Sequence, residues 1–318
     1  MKYGLLEYTT QNIGDEIQSI AARQFLPRVD TYLERDYLNQ VDSDEDIKLI
    51  MNGWFSHNPE NWPPSSRINP LFISFHIAEK AKEDYTSKQS ISYLSAQEPI
   101  GCRDIQTRDL LVEHGVNAYF SGCLTLTLSN KNSHQNTDEV FFVDIDREII
   151  NSLPTDLRNQ GEYLTHEYKS PRKEFGQKMD DTFNDAIEYA RKFGVVSAYG
   201  SIMDLVEETF HPQESKKSDK FQRAQTYLDK YTQAKLVITS RLHVTLPCLA
   251  FGTPVILVHE NPDDPRFDGL KEYINLYSKE EFMSIKESNL SAECIENPGD
   301  ISRIQSQMRD TVTEFLRT

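Results

Sequence analysis

The stretch "VITSRLHVTLPCLAFGTPVILVHE", residues 237–260, is the most apolar part of the chain, yet Arg241 and His243 stand two residues apart between its hydrophobic runs. Residues 235–239 and 254–258 have the length and β-branched content of buried strands. The helix between them is stopped by Gly252 and then Pro254. Pro247 is informative, because proline is tolerated in a first turn and removes a hydrogen bond deeper inside. The regular helix therefore starts near residues 243–246 or kinks there. This order leaves "SRLH" at the carboxyl edge of a parallel sheet, where open α/β folds bind ligands. Free backbone N–H groups beside an arginine favour a phosphate or a carboxylate. A structural carboxylate partner for Arg241 and a core role for His243 remain open at this point.

Working outward, short apolar runs alternate with helical patterns along the chain, the mark of parallel α/β layers. A strand at 3–8 leads into a helix within 9–26, on which Ile13, Ile17, Ile20 and Ala21 share a face. Strands are expected at 47–52, 71–77, 117–122 and 139–145, with a helix at 103–115, and these make one α/β unit. The pattern begins again with strands at 162–168 and 195–199, helices at 179–194 and 219–234, and the opening segment. The expected fold is two Rossmann-like α/β domains, residues 1–150 and 151–318. The last helix, 300–316, with Asp300 as its cap, is amphipathic and must dock back on the body.

Composition narrows the function classes. Lys plus Arg number 34 against 50 Asp plus Glu, giving 34 − 50 = −16, a balance that repels nucleic acid and anionic membranes. An anionic substrate therefore needs a few well-placed cations. The four cysteines, Cys102, Cys123, Cys248 and Cys294, form no CxxC pair and no disulfide framework, which fits a reducing compartment. No run approaches the roughly 18 apolar residues of a membrane helix, so a soluble, cytoplasmic protein is expected.

Three further stretches carry chemistry-bearing residues. In "NIGDEIQS" (12–19) Gly14 permits close backbone approach and Asp15 could meet a substrate hydroxyl, or Asn12 or Asp15 simply caps the helix. "PIGCRDIQTRDLL" (99–111) sets Arg103 beside Asp104 at another helix start, with a capping Asp and a surface Arg as the plain alternative. "YFSGCLTLTL" (119–128) alternates strictly late in the run and reads as a strand, with Gly122 admitting a close neighbour. No P-loop, dinucleotide fingerprint, zinc-ligand spacing or nucleophile elbow is present.

The ordered set "NIGDEIQSIA", "PIGCRDIQT", "YFSGCLTLTL" and "SRLHVTLPCLAFGTPVI" resembles the polysaccharide pyruvyl transferase family over residues 12 to 258. The resemblance implies a GT-B-like pair of domains facing across a cleft. It also implies transfer of pyruvate from phosphoenolpyruvate to a sugar, or a lipid-linked oligosaccharide, as a cyclic ketal, with no metal or other cofactor. By position it makes His243 and Asp15 catalytic, and Arg241 and Arg103 donor ligands; Arg266, in the charged loop 259–270, is a further cation. Asn12, Gly14, Asn52 and Trp54 fall on the acceptor side. Many members carry a Gly-Gly-Gly loop where this chain has "MNGWFSHNPENWPPS" (51–65), so Trp54, Phe55 and Trp62 are either a sugar platform or packing. Two rival functions share this fold: a nucleotide-sugar glycosyltransferase and a non-catalytic carbohydrate- or anion-binding relative.

Overall fold

The computed structural model describes residues 1–129, 137–168, 213–285 and 295–318. The helix expected at 179–194 and the strand at 195–199 lie outside these residues, as does Cys294. Strands β1 (Lys2–Glu7), β2 (Thr31–Glu34), β3 (Ile47–Phe55), β4 (Ile68–Ile77), β5 (Ile100–Cys102) and β6 (Ala118–Phe120) form one sheet in the order β2-β1-β3-β4-β5-β6. Strands β7 (Val140–Val143), β8 (Gly161–Leu164), β9 (Leu236–Thr239), β10 (Val255–Val258) and β11 (Asn275–Tyr277) form a second in the order β11-β10-β9-β7-β8. Every pairing in both sheets is parallel. The architecture is the expected pair of α/β layers. In such sheets ligands bind beyond the strand C-termini where the strand order reverses, here between β1 and β3 and between β7 and β9.

Two expectations are corrected. The strand at 139–145 was placed in the first unit, but Val140–Val143 pairs with β8 and β9, so the chain has left the first sheet before residue 140 rather than near 150. The alternating run 119–128 is a strand only to Phe120; Gly122 then turns at φ +73° and Leu124–Thr127 form a 3₁₀ turn. Alternation misleads there because the threonines are buried along with the leucines. The Thr127 hydroxyl is satisfied inside the fold: its Oγ1 donates to the Leu124 carbonyl and accepts from Gln24 Nε2.

Helix α1 (Gly14–Arg23) follows β1, and its Ile13, Ile17, Ala21 and Ala22 are buried as the spacing requires. Ser19 is buried too, its hydroxyl donating to the Leu6 carbonyl at 2.7 Å, because this helix is covered on more than one side. Helix α2 (Ile105–Glu113) starts at Asp104, whose carboxylate caps Thr107 N–H at 2.9 Å. Helix α3 (Gln213–Gln233) leads into β9, and α4 (Leu242–Phe251) runs from β9 to Gly252, left-handed at φ +76°. The last helix, α5 (Ser302–Arg317), returns to the first unit: Lys48 Nζ donates to the Phe315 carbonyl at 2.8 Å and Gln305 Nε2 to the Leu126 carbonyl at 2.7 Å.

One apolar cluster joins the two layers, with Leu5, Ile13 and Ile17 of the first packed in the same core as Phe141, Val237 and Val244 of the second. Separate clusters cover the outer faces. Polar contacts reinforce the seam. Ile13 N–H donates to the His166 carbonyl at 2.9 Å, and Lys220 Nζ reaches both the Tyr8 carbonyl at 2.8 Å and Glu16 at 2.5 Å. No helix among the described residues is long and apolar enough to cross a membrane.

Candidate active site

A cleft of about 490 Å³ opens where the strand C-termini of the two sheets face each other. Its walls come from both switch points. Thr10, Asn12 and Asp15 follow β1 and Trp54 ends β3; Ser240, Arg241 and His243 follow β9. Arg103, His166 and Arg266 complete the ring of polar side chains. Arg241, His243, Arg103, Arg266, Asp15, Asn12 and Trp54 all line this one cleft.

His243 owes its position to a residue four places on. Pro247 has no N–H to give the His243 carbonyl and its ring crowds that carbonyl, so His243 leaves helical geometry at φ −80°, ψ 15°. The turn sets its ring against Gly14, where an added Cβ would lie 3.2 Å from His243 Cβ. Burial first, and then the charge of Arg103, hold the His243 imidazole well below its usual pKa. The ring is therefore neutral in the ligand-free protein. Its Nε2 is buried with no hydrogen-bond partner among the described residues.

The three arginines differ. Arg241 donates from Nε to Asp144 at 2.8 Å, and Asp144 also accepts from Thr165 Oγ1 at 2.7 Å and His166 N–H at 3.0 Å. Burial would raise the Asp144 pKa, but these bonds and the arginine hold it below the usual range. Arg266 is gripped by both oxygens of Asp264. Arg103 is 2% exposed, and among the described residues its guanidinium makes no hydrogen bond, with only an ion pair to Asp104 at 3.7 Å. A guanidinium stays charged even when burial lowers its pKa, so Arg103 is a buried cation whose fork is free for an anion.

Asp15 accepts from Thr10 Oγ1 at 2.7 Å and Gln18 Nε2 at 3.2 Å, with Arg35 Nη1 at 3.8 Å. It does not cap α1; Asn12 does the nearest thing, accepting Gly14 N–H at 3.1 Å. Arg35 is wholly buried between the rings of Tyr8 and Trp54, so one cation supports both Asp15 and the aromatic wall. Trp54 lines the cleft beside His57, whereas Phe55 and Trp62 pack with Phe75 in the outer core. Asn52 is not in the cleft: it is 1% exposed, and its amide donates to the Gln18 carbonyl at 2.8 Å. Gly14 serves as the surface on which His243 rests rather than as a lining residue. No group of three His, Cys, Asp or Glu side chains able to hold a metal gathers among the described residues.

Several residues in or behind the cleft wall carried little readable signal. His166 and Arg35 lie in segments without a motif, and only the fold brings them in. Asp144 had a faint one, as the first polar residue after the apolar run "VFFV", the position that a sheet's carboxyl edge occupies.

The match to known families coincides with this cleft. Residues 12–261 match the model of the polysaccharide pyruvyl transferase family, from Asn12 at the β1 turn past His259 at the far wall. The chain belongs to the polysaccharide pyruvyl transferase family. No curated protein sequence matches it. Among solved structures it is similar to an uncharacterised protein of Klebsiella pneumoniae, at 11% identity over 87% of this chain and 92% of that one, with a TM-score of 0.42. It is also similar to Staphylococcus aureus MnaA solved with UDP, at 10% identity over 100% and 97% of the two chains, TM-score 0.44. A third is the UDP-GlcNAc 2-epimerase of Methanocaldococcus jannaschii, at 10% identity over 98% and 99%, TM-score 0.36. The pyruvyl transferase match thus takes in residues of both sheets and most of the cleft residues named above, from Asn12 to His259.

Proposed function

We propose that this member of the family transfers pyruvate from phosphoenolpyruvate to two hydroxyls of a sugar, forming a cyclic ketal and releasing inorganic phosphate. The observation that carries the proposal is Arg103, a buried guanidinium that makes no hydrogen bond among the described residues, at the wall of a cleft that also holds Arg241, His243 and Asp15. The donor's phosphate and carboxylate are anions of the kind such a fork grips.

In this proposal the donor also solves the protonation state of His243. The free imidazole is neutral because burial and neighbouring cations oppose its charge. A bound trianion offsets those cations, so His243 takes up a proton as the donor arrives. The protonated ring then delivers its proton to C3 of the enol, and C2 becomes electrophilic. One sugar hydroxyl bonds to C2 and its proton passes to Asp15. The C2–O bond to phosphate breaks, and a second hydroxyl bonds to C2 and loses its proton. Of the two hydroxyl protons, one restores His243 and the other leaves with phosphate, so the ledger closes without a redox partner.

The acceptor sits on the first layer in this reading, against Trp54 and Asn12, with the donor between Arg103, Arg241 and Arg266. Incubation with phosphoenolpyruvate and a panel of sugars and lipid-linked sugars, following phosphate release and acceptor mass, tests it. Release of phosphate with a mass gain of one pyruvyl ketal is expected. Transfer of a sugar from a nucleotide sugar, or binding with no turnover on any acceptor, would replace it with one of the rival functions.

A further inference from the structure

Arg103 and Asp104 are neighbours in sequence and both are buried, the setting in which an arginine usually folds onto the carboxylate beside it. Here the closest approach is 3.7 Å, from Arg103 Nε to Asp104 Oδ2, and no hydrogen bond joins them. The carboxylate is already engaged. Its Oδ1 accepts the Thr107 N–H that starts α2, at 2.9 Å, and its Oδ2 is held by His76 Nδ1 at 2.5 Å. The oxygen nearest the guanidinium is the one that His76 holds.

His76 comes from the C-terminal end of β4 and is 4% exposed. Burial first, then the Arg103 charge, push its pKa down to about 4, so the ring is neutral at physiological pH. A carboxylate only accepts, so the single ring proton lies on Nδ1 and points at Asp104. A neutral donor in this place satisfies Asp104 without adding a second cation beside Arg103.

We propose that His76 is a positioning residue for the anionic donor: by holding Asp104 Oδ2 it keeps the adjacent carboxylate from closing onto Arg103, so the guanidinium stays turned to an anion in the cleft. The inference rests on the reading of the cleft as the site of an anionic donor. The anion's recognised feature is a pair of charged oxygens, which phosphate and carboxylate share. In the absence of His76, Asp104 Oδ2 needs a new donor, and Arg103 Nε stands 3.7 Å away.

Calorimetric titration with phosphoenolpyruvate, inorganic phosphate and pyruvate, on the intact chain and three variants, tests this. His76→Ala is expected to weaken anion binding about tenfold or more, the scale of a lost charged hydrogen bond, and to raise KM for the donor with little change in kcat. His76→Asn, whose amide N–H replaces the ring Nδ1–H, restores most of the affinity. The decisive variant is the double substitution His76→Ala with Asp104→Asn. Asparagine caps a helix as well as aspartate does but offers no charge to capture Arg103, so anion binding recovers relative to His76→Ala alone. A loss confined to inorganic phosphate or to pyruvate supports the inference equally and identifies the group that Arg103 grips. Unchanged affinity in His76→Ala overturns it, and so does a double variant that is folded by circular dichroism and still binds as weakly as the single one. A wild-type chain that binds these anions but makes no ketal overturns the proposed function alone; one that binds none of them overturns both.

Discussion

Gly14 and His243, more than two hundred residues apart in sequence, meet at the base of the cleft, where a Cβ on residue 14 would lie 3.2 Å from His243 Cβ and 3.4 Å from His243 Nδ1. The glycine leaves room for the imidazole and for the Asn12 amide, whose Oδ1 would lie 3.1 Å from that Cβ, and no positive φ calls for it. The β1 turn and the Ser-Arg-Leu-His segment of this chain are therefore two halves of one contact.

Gly14→Ala separates that contact from stability. Alanine is the better helix residue by ~1 kcal/mol, which offsets the crowding, so the melting temperature should change by only a few degrees. The added methyl displaces His243 by a fraction of an ångström, and misplacement near 1 Å can slow catalysis by about 10²-fold. Turnover is expected to fall at least tenfold, in about that range. Wild-type turnover in a folded variant would show that the contact does not position the imidazole.

Donor binding should take up a proton near neutral pH. His243 is held neutral in the free protein because its folded pKa is depressed, and a bound trianion raises it. Uptake on binding means that donor affinity falls as pH rises through the pKa of the complex. Calorimetry in buffers of different ionisation enthalpy measures the uptake directly. His243→Gln should abolish it and lower the transfer rate by about 10²–10⁴, and a variant that still takes up the proton would move the assignment to another group.

Arg103→Lys should hurt donor binding more than Arg241→Lys. Among the described residues the guanidinium of Arg103 makes no hydrogen bond, whereas Arg241 already gives Nε to Asp144. Loss of a charged, two-pronged contact corresponds to ~1.5–3 kcal/mol, or about ten- to a hundredfold in donor affinity, for Arg103. Affinities measured by titration in the two variants decide this, and an equal or reversed order would assign the principal clamp to Arg241.

The Lys220–Glu16 pair gives the seam a pH signature. Burial raises the Glu16 pKa to about 7 even though Lys220 opposes the shift. Lys220→Met strands that carboxylate and should destabilise the fold by ~3–5 kcal/mol when Glu16 is charged. A raised folded pKa means the folded state holds the proton as pH falls below it, so the penalty shrinks with acidity. Denaturant midpoints at about pH 8 and about pH 5.5 should differ more between variant and wild type at the higher pH. A pH-independent difference would show that packing, not the buried charge, is what the substitution removes.

What the chain's one-dimensional pattern determined is everything that depends on neighbours along the strand or helix. Alternating apolar runs specify two parallel α/β layers, because a strand or helix shows its buried face in its own spacing. Gly252 and Pro247 mark the end and the kink of α4. The motifs around Asp15, Arg103 and Arg241 were legible for the same reason: each is a strand-to-helix turn, and such turns lie at a sheet's carboxyl edge. What only the tertiary structure decided depends on partners distant in sequence. The pairing of β7 with β8 and β9 assigns Val140–Val143 to the second sheet, and strand partners are a matter of register between segments, which local pattern does not encode. The run 119–128 read as one strand but ends as a buried 3₁₀ turn, where Gln24 and the turn's own carbonyl satisfy the Thr127 hydroxyl. Asn52, placed on the acceptor side by the resemblance, is spent on the Gln18 carbonyl. The free fork of Arg103 depends on His76, 27 positions earlier, occupying the carboxylate next door, as 103 − 76 = 27 shows. Hydrogen-bond competition of that kind is settled only when the chain has folded.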